Sequence, residues 1–378
     1  MAILPGSRLG MLGGGQLGRM FVIAARTLGY DVIVLDPDEH SPAGGLASEH
    51  LCCKYDDMGA LDYLAEQCAV VTTEFENIPA ATLAYLANSV PVHPSADALQ
   101  IAQHRRLEKE FFRGLGLGTA DFVGIENRAD LDRARDFAFP GILKTSMLGY
   151  DGKGQIPCDD FTGLEAAYLK LGKNPCLLEQ RIELEAEISV VLGRSLAGEV
   201  SCFPPAQNTH ADGILDVSLA PAPVAPELAE AAIDAATRIA HGLEYCGVLA
   251  VEFFISRDRR VLVNEMAPRP HNSGHYTIDG CDTSQFEQQL RMICDLPAGS
   301  CRQHTPVAMW NLMGDIWPEI GIPRWDALLG FGQAKLHLYG KTEARPGRKM
   351  GHVNCLGDTL DSAAELLERV REVVGEAR

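Results

Sequence analysis

Short apolar runs separated by amphipathic stretches dominate the first hundred residues. Arg8–Leu12 and Asp31–Leu35 are β-rich, and Arg19–Leu28 between them is apolar over a helical length. Ala69–Thr73 repeats the strand pattern and ends in Glu74-Phe75-Glu76-Asn77-Ile78-Pro79. Strands alternating with helices predict a doubly wound α/β unit over residues 1–100, with ligands at the carboxyl ends of its strands. Beyond it the pattern changes. Gln100–Gly114 predicts one basic helix whose Arg105, Arg106 and Lys109 read as a solvated face. Ile142–Lys144 is a short strand, and Leu177–Arg181, Glu187–Leu192 and Glu199–Phe203 are three more, with Asn208-Thr209-His210 after the last. Pro226–Gly242 has proline at its start, Glu227 in its first turn, and Leu228, Ala232, Ala235, Ile239 and Leu243 at helical spacing. Ser284–Ile293 is a further helix, and Pro297–His304 reads as a linker into a small C-terminal region. The chain is thus α/β first and α+β after.

The stretch with the most chemistry is Gly247–His275. Two β-rich runs, Gly247–Ile255 and Arg260–Met266, flank a short polar link and predict a hairpin. With Asp258–Arg259 as a two-residue turn, Arg257 faces Arg260 and Glu252 falls opposite Glu265. Their shared face would carry Val248, Ala250, Phe254, Val261 and Val263. Like charges at that spacing repel unless a cation sits between them, and oxygen-only ligands suit Mg²⁺, which bridges carboxylates to a substrate's phosphates. Two exposed glutamates on an ordinary hairpin is the plainer alternative. Ala267-Pro268-Arg269-Pro270-His271-Asn272-Ser273-Gly274-His275 follows, a non-periodic run carrying a guanidinium, two imidazoles and an amide.

Glycine marks two further places. Gly13-x-Gly15-x-x-Gly18 follows a strand, opens a helix, and precedes Asp36 at the next strand end. This is the dinucleotide fingerprint, and it raises an NAD-dependent oxidoreductase as an alternative. Its physical content is only a tight turn and backbone amides at a helix N-terminus. Gly149-Tyr150-Asp151-Gly152-Lys153-Gly154-Gln155 fits neither that spacing nor a Walker loop, and reads as a mobile loop able to close over phosphates.

Charge sharpens the picture. The 378 residues carry a net charge of −18, which excludes a nucleic-acid surface, so any anionic ligand needs a local basic patch. Lys341, Arg345, Arg348 and Lys349, with Pro346-Gly347 among them, form such a patch and predict a loop that holds phosphate. Hydrophobic content of 46% and charged content of 22% are those of a globular protein. Eleven cysteines without a CxxC pair, no apolar leader and no 18-residue apolar run lead to the expectation of a cytoplasmic protein that meets no membrane.

Taken in order, GGGQLGRM (Gly13–Met20), EFENIP (Glu74–Pro79), GYDGKGQ (Gly149–Gln155), EQRI (Glu179–Ile182), NEMAPRPHNSGH (Asn264–His275) and RPGRKMGH (Arg345–His352) resemble the 5-(carboxyamino)imidazole ribonucleotide synthase family of ATP-grasp ligases. The resemblance spans essentially the whole chain, and it departs at Thr145–Leu148, where the family has a more basic, glycine-ended approach. It implies an ATP-grasp fold with an N-terminal Rossmann-like domain at 1–100, an ATP-grasp domain at 101–296 with a lid at about 140–185, and a small C-terminal domain at 297–378. It implies ATP contacts at Arg105, Lys144, Gly149, Tyr150, Asp151, Gly152, Lys153, Gly154, Gln155, Glu179, Gln180, Arg181, Ile182, Glu187, His210, Asn264 and Glu265, with Glu252 and Glu265 holding Mg²⁺, two ions being expected. Gln16, Leu17, Glu76, Tyr150, Asp151, Arg269, His271, Asn272, Ser273, Lys341, Arg345, Arg348 and Lys349 would meet 5-aminoimidazole ribonucleotide and bicarbonate. Arg269, His271 and Lys341 would be catalytic, with His271 or His275 moving a proton. The implied reaction makes carboxyphosphate from ATP and bicarbonate and passes its carboxyl to the exocyclic amine, in a homodimer. A related formate-using glycinamide ribonucleotide transformylase also carries PRPH, but Asp-Thr-Gly is expected to follow there in place of Asn272-Ser273-Gly274.

Overall fold

The computed structural model describes residues 2–147, 154–318 and 321–375 and contains three sheets. The first is parallel, with Glu49–Leu51, Asp31–Leu35, Arg8–Leu12, Val70–Thr73 and Val92–His93 in that spatial order. Its central strands read as continuous apolar runs because helices cover both faces. The order reverses between Arg8–Leu12 and Val70–Thr73, so the loops after these two strands open at the switch point. Those loops are Gly13–Gly15 and Glu74–Pro79.

The second sheet is antiparallel: Phe122–Ile125, Cys176–Gln180, Gly141–Thr145 and Gln155–Cys158. It has its own core around Ile125, Leu143, Leu164 and Leu178, and so forms a separately packed flap. Gly149–Lys153, the first five residues of the predicted phosphate loop, lie outside the described residues together with Leu148.

The third sheet runs Val261–Ala267, Gly247–Ser256, Leu184–Arg194, Ala206–Ala211, Ile214–Ala220, Val307–Met313, Lys349–Leu356, Ala334–Leu338, with Val200–Cys202 also on Leu184–Arg194. Strands from the C-terminal region thus continue the sheet that carries the hairpin. Helix Pro226–Gly242 lays Ala232, Ala236 and Ile239 on Leu249, Val251 and Phe253, which makes the hairpin a rigid platform.

Several local expectations need correction. Gln100–Gly114 is two helices, Ala96–Gln103 and Arg105–Gly114, because His104 is extended (φ −124°, ψ 104°). Lys109 is not on a solvated face; it is 1% exposed. Asn208-Thr209-His210 lie within a strand, and so do Lys349–His352, where a loop was expected. The hairpin link has three residues, Arg257–Arg259, with Arg259 in the left-handed region and Ser256 N donating to Arg260 O. That shifts the pairing by one, to Phe253↔Val263 and Phe254↔Leu262. A β-bulge at Asn264 then shifts it back, so Glu252 does lie opposite Glu265. The two offsets cancel. Val261 and Val263, however, end up on the opposite face, packed with the helix, and Leu262 pairs with Phe254 instead.

Candidate active site

The bulge re-aims Asn264 and leaves two carboxylates abreast, a use of bulges common beside active sites. Burial, and then the charge of Glu265, push the Glu252 carboxyl up to about 7. Glu265 has Arg105 at 3.3 Å, and His271 Nε2 lies 3.6 Å from Glu252 Oε1. His271 brings no charge: burial, with Arg269 and Lys349 nearby, holds its pKa well below the ordinary range. The pair therefore fits a divalent cation. Among the described residues no cluster of three or more His, Cys, Asp or Glu forms a metal cage. Two carboxylates with open coordination positions are what Mg²⁺ uses when phosphate oxygens complete its shell.

Two cavities meet at this pair. The larger, about 1120 Å³, lies between the flap and the third sheet and is lined by Lys144, Gln155, Glu179, Gln180, Arg181, Ile182, Glu187, His210 and Asn264. Lys144 Nζ donates to Glu179 Oε2 at 2.8 Å, and Lys109 Nζ stands 3.6 Å from the same oxygen. Burial would raise the Glu179 carboxyl, but the two lysines outweigh it and bring it to about 2. His210 Nδ1 lies 2.9 Å from Glu187 Oε2; burial opposes its charge, yet Glu187 and Glu252 raise its pKa.

The smaller cavity, about 350 Å³, opens at the switch point and is lined by Gln16, Leu17, Glu76, Arg269 and Lys341. Arg269 grips Glu76 with two hydrogen bonds, Nε to Oε2 at 2.5 Å and Nη2 to Oε1 at 3.1 Å. Burial alone would raise the Glu76 carboxyl, but Arg269 holds it below the usual range. Lys341 Nζ donates to Gln16 Oε1 at 2.7 Å and to Lys349 O at 2.6 Å. Arg105, Glu252, Glu265, His271, Asn272 and Lys349 line both cavities, so they form the shared wall. Asn272 is 5% exposed, and among the described residues neither atom of its amide has a hydrogen-bond partner. A buried amide left open at both ends is costly unless a ligand meets it.

Other expected residues sit elsewhere. Ser273 is fully buried behind the wall, bonded to Ser189 Oγ at 2.8 Å and His271 Nδ1 at 2.9 Å. His275 is also fully buried and lines neither cavity, and burial pushes its pKa down to about 3; of the two histidines only His271 reaches the site. Arg345 pairs with Glu343 at 3.2 Å, Arg348 donates to Glu343 O at 2.7 Å, and neither lines a cavity. Two residues that the sequence reading passed over belong here. Gln103 Nε2 donates to the carbonyls of Glu76 and Ile78 at 2.6 and 2.7 Å, fixing the Glu76 loop. Glu108, one turn from Arg105, accepts from Met266 N at 2.7 Å; burial and then Glu265 push it up to about 8. The i, i+3, i+4 spacing of Arg105, Glu108 and Lys109 was the available signal.

The glycine fingerprint is filled by the chain itself. Glu74 accepts from Gly15 N and Gly18 N, both at 2.5 Å, at the N-terminus of helix Gln16–Thr27. Asp36 accepts from Gly14 N at 2.6 Å and Tyr55 Oη at 2.7 Å. The amides that would hold a pyrophosphate, and the acid that would hold a ribose, are already engaged.

Comparison with known proteins gives family matches along most of the chain. A ribonucleotide synthetase preATP-grasp domain matches residues 7–103, an ATP-grasp domain 110–286, and a phosphoribosylaminoimidazole carboxylase C-terminal domain 307–366. The N5-carboxyaminoimidazole ribonucleotide synthase of Brucella melitensis is 43% identical over 93% of this chain and 97% of its own length. The enzyme of that name from Bacillus subtilis is 41% identical over 95% and 94%. The Aspergillus clavatus N5-carboxyaminoimidazole synthase, crystallised with ADP and 5-aminoimidazole ribonucleotide, superposes with a TM-score of 0.91 at 31% identity over 98% of this chain and 99% of its own. With two full-length relatives above 40% identity and a matching fold, the chain belongs to the N5-carboxyaminoimidazole ribonucleotide synthase family of ATP-grasp ligases.

Proposed function

We infer that this enzyme uses ATP and bicarbonate to carboxylate the exocyclic amine of 5-aminoimidazole ribonucleotide, a step of purine synthesis. The observation that carries the reading is the shared wall: a nucleotide-sized cavity and a smaller one meet at Glu252, Glu265, Arg105, His271, Asn272 and Lys349. A group activated in one cavity needs only to cross that wall to be used in the other. The larger cavity takes ATP, with Lys144, Gln155 and the Glu179–Ile182 strand end about the nucleotide. Glu252 and Glu265 would hold Mg²⁺, which when bound neutralises charge on the phosphates. A bicarbonate oxygen takes the γ-phosphoryl group as ADP departs. The amine nitrogen then bonds to the carboxyl carbon, and the carboxyphosphate's C–O bond breaks to release inorganic phosphate. The protein's share is positioning and charge. Arg269, held flat by Glu76, and the open amide of Asn272 meet bicarbonate. Lys341 and Lys349 meet the ribonucleotide phosphate, with Arg345 and Arg348 on the outer rim of the same segment. His271, kept neutral, is the proton carrier nearest the pair. All eleven cysteines are unpaired, which supports a reducing compartment such as the cytoplasm.

The test measures ADP release against bicarbonate and formate, each with and without 5-aminoimidazole ribonucleotide, with NAD binding as a control. Release that depends on bicarbonate and rises with the ribonucleotide is expected. Dependence on formate would point to the transformylase, and saturable micromolar NAD binding to an oxidoreductase.

A further inference from the structure

We propose that Gln285, seated on a stack of three histidines, is a positioning residue that sets His271 and Asn272 at the wall between the two cavities. This rests on the functional reading above and extends it to residues that touch no substrate. Gln285 is fully buried in helix Gln285–Ile293. Its Oε1 accepts from His271 N at 2.9 Å, and its Nε2 donates to His271 O at 2.7 Å. One side chain thus grips both main-chain groups of the residue before Asn272. The remaining N–H of Nε2 points at His275 Nδ1, 3.0 Å away. A Cβ on Gly274 would come within 2.5 Å of Gln285 Oε1, so only glycine lets the loop approach this closely.

His275 in turn is held by its rings' neighbours. It stacks on His352 at 4.6 Å, and His352 stacks on His337 at 4.5 Å. His352 lies in the strand that begins at Lys349, and His337 in the strand that leads to Lys341. Asn354 Nδ2 closes the joint by donating to His275 O at 3.0 Å and to Asp279 Oδ2 at 2.7 Å, which also pairs with His337. The stack therefore fastens the His271 loop to the strand that begins at Lys349 and to the one that leads to Lys341. For Gln285 to donate to Nδ1, His275 must be neutral with its proton on Nε2; burial favours the neutral ring. The arrangement fixes the distance between the site of phosphoryl transfer and the site where the carboxyl group is used.

The experiment counts ADP released per ribonucleotide carboxylated, a ratio expected near one in the wild type. Gln285→Glu keeps the size, removes both N–H donors and sets a carboxylate against His271 O. It should lower carboxylation by about 100-fold, as misplacement of about an ångström can, and ADP release by much less, so the ratio rises. The KM for ATP should stay within about twofold, because among the described residues Gln285 has no hydrogen bond to Lys144, Gln155 or the Glu179–Ile182 strand end placed about the nucleotide. His275→Phe keeps a ring between Phe286 and His352 but loses the acceptor; it should uncouple in the same direction, less strongly, and guards against a Gln285→Glu protein that fails to fold. A purely structural role would lower the melting temperature and leave the ratio at one in both variants, overturning the proposal. A wild type whose ADP release ignores the ribonucleotide would overturn the functional reading and this inference together; a coupled wild type with equally coupled variants would overturn this inference alone.

Discussion

Glu74 and Glu252 are both glutamates that line the smaller cavity, and burial pushes both up to about 7. Their neighbours differ. Glu74 accepts from two backbone amides at a helix N-terminus, so the chain itself completes a site that would otherwise hold an anion. Glu252 faces a second carboxylate across a bulge, with a neutral imidazole at 3.6 Å; His210 and Lys349 offset part of its charge, but burial and Glu265 outweigh them. A raised carboxyl alone does not distinguish a closed site from an open one. The donors around it do.

The largest expected effect tests the open side. Glu252→Gln and Glu265→Gln should each lower Mg²⁺-dependent ATP turnover by about a thousandfold, since a metal's charge stabilisation is worth several kcal/mol. Without Mg²⁺ the two should part. Glu252→Gln relieves the repulsion from Glu265 that, after burial, raises the carboxyl's pKa, and it should raise the melting temperature by about 2 °C. Glu265→Gln gives up its 3.3 Å contact with Arg105 and should not. Identical behaviour of the two metal-free variants would mean that Arg105 does not divide the pair as described.

A smaller effect tests the ribonucleotide side. The sequence treats Lys341, Arg345, Arg348 and Lys349 as one patch, but of these the two lysines line the smaller cavity and the two arginines do not. A charge-assisted hydrogen bond is worth about 1.5–3 kcal/mol, so Lys341→Ala should raise the KM for the ribonucleotide about tenfold or more. Arg348→Ala, whose guanidinium is on Glu343 O, should raise it about threefold at most. The KM for ATP should hold in both. If Arg348→Ala costs as much as Lys341→Ala, the loop closes on the substrate and the separation drawn here fails.

Much of this was readable from periodicity. The strands Arg8–Leu12 and Asp31–Leu35 and the helix Pro226–Gly242 lie where their apolar spacing put them. The Glu252–Glu265 pairing was also legible, although a two-residue turn yields it only because the bulge offsets the third link residue. Neither the bulge nor the third link residue has a signature in Arg257-Asp258-Arg259 or Asn264, because register depends on what packs beneath. The roles of Lys109, Glu108 and Gln103 were hidden for a related reason. A helix that looks solvated on charge alone can turn its polar side into a site, and only the tertiary packing shows which side that is. Glu74 was missed because the fingerprint is local, while its occupant arrives from 59 residues further on.

The smallest expected effect tests the closed side by pH. In the unfolded chain a glutamate ionises near 4.5, but in the folded chain burial delays Glu74 to about 7 despite its two amide donors. The folded state therefore keeps a proton that the unfolded state has lost between those values. Stability from this group is full below about 4.5 and falls as pH rises to about 7. Glu74→Gln has nothing to titrate there, so the melting temperature of the wild type relative to the variant should fall by a few degrees between pH 5 and pH 8. Glu179 gives a control of opposite sign: burial pushes it up, but Lys109 and Lys144 hold it at about 2, so its contribution is present above about 4.5 and is lost as pH falls toward 2. The Glu179→Gln variant should therefore converge on the wild type in acid, while the Glu74→Gln comparison does its drifting near neutrality. A Glu74 gap that stays flat from pH 5 to 8 would mean the glycine-loop amides keep that carboxylate ionised throughout, and the fingerprint would then hold a fixed internal anion with no proton to exchange.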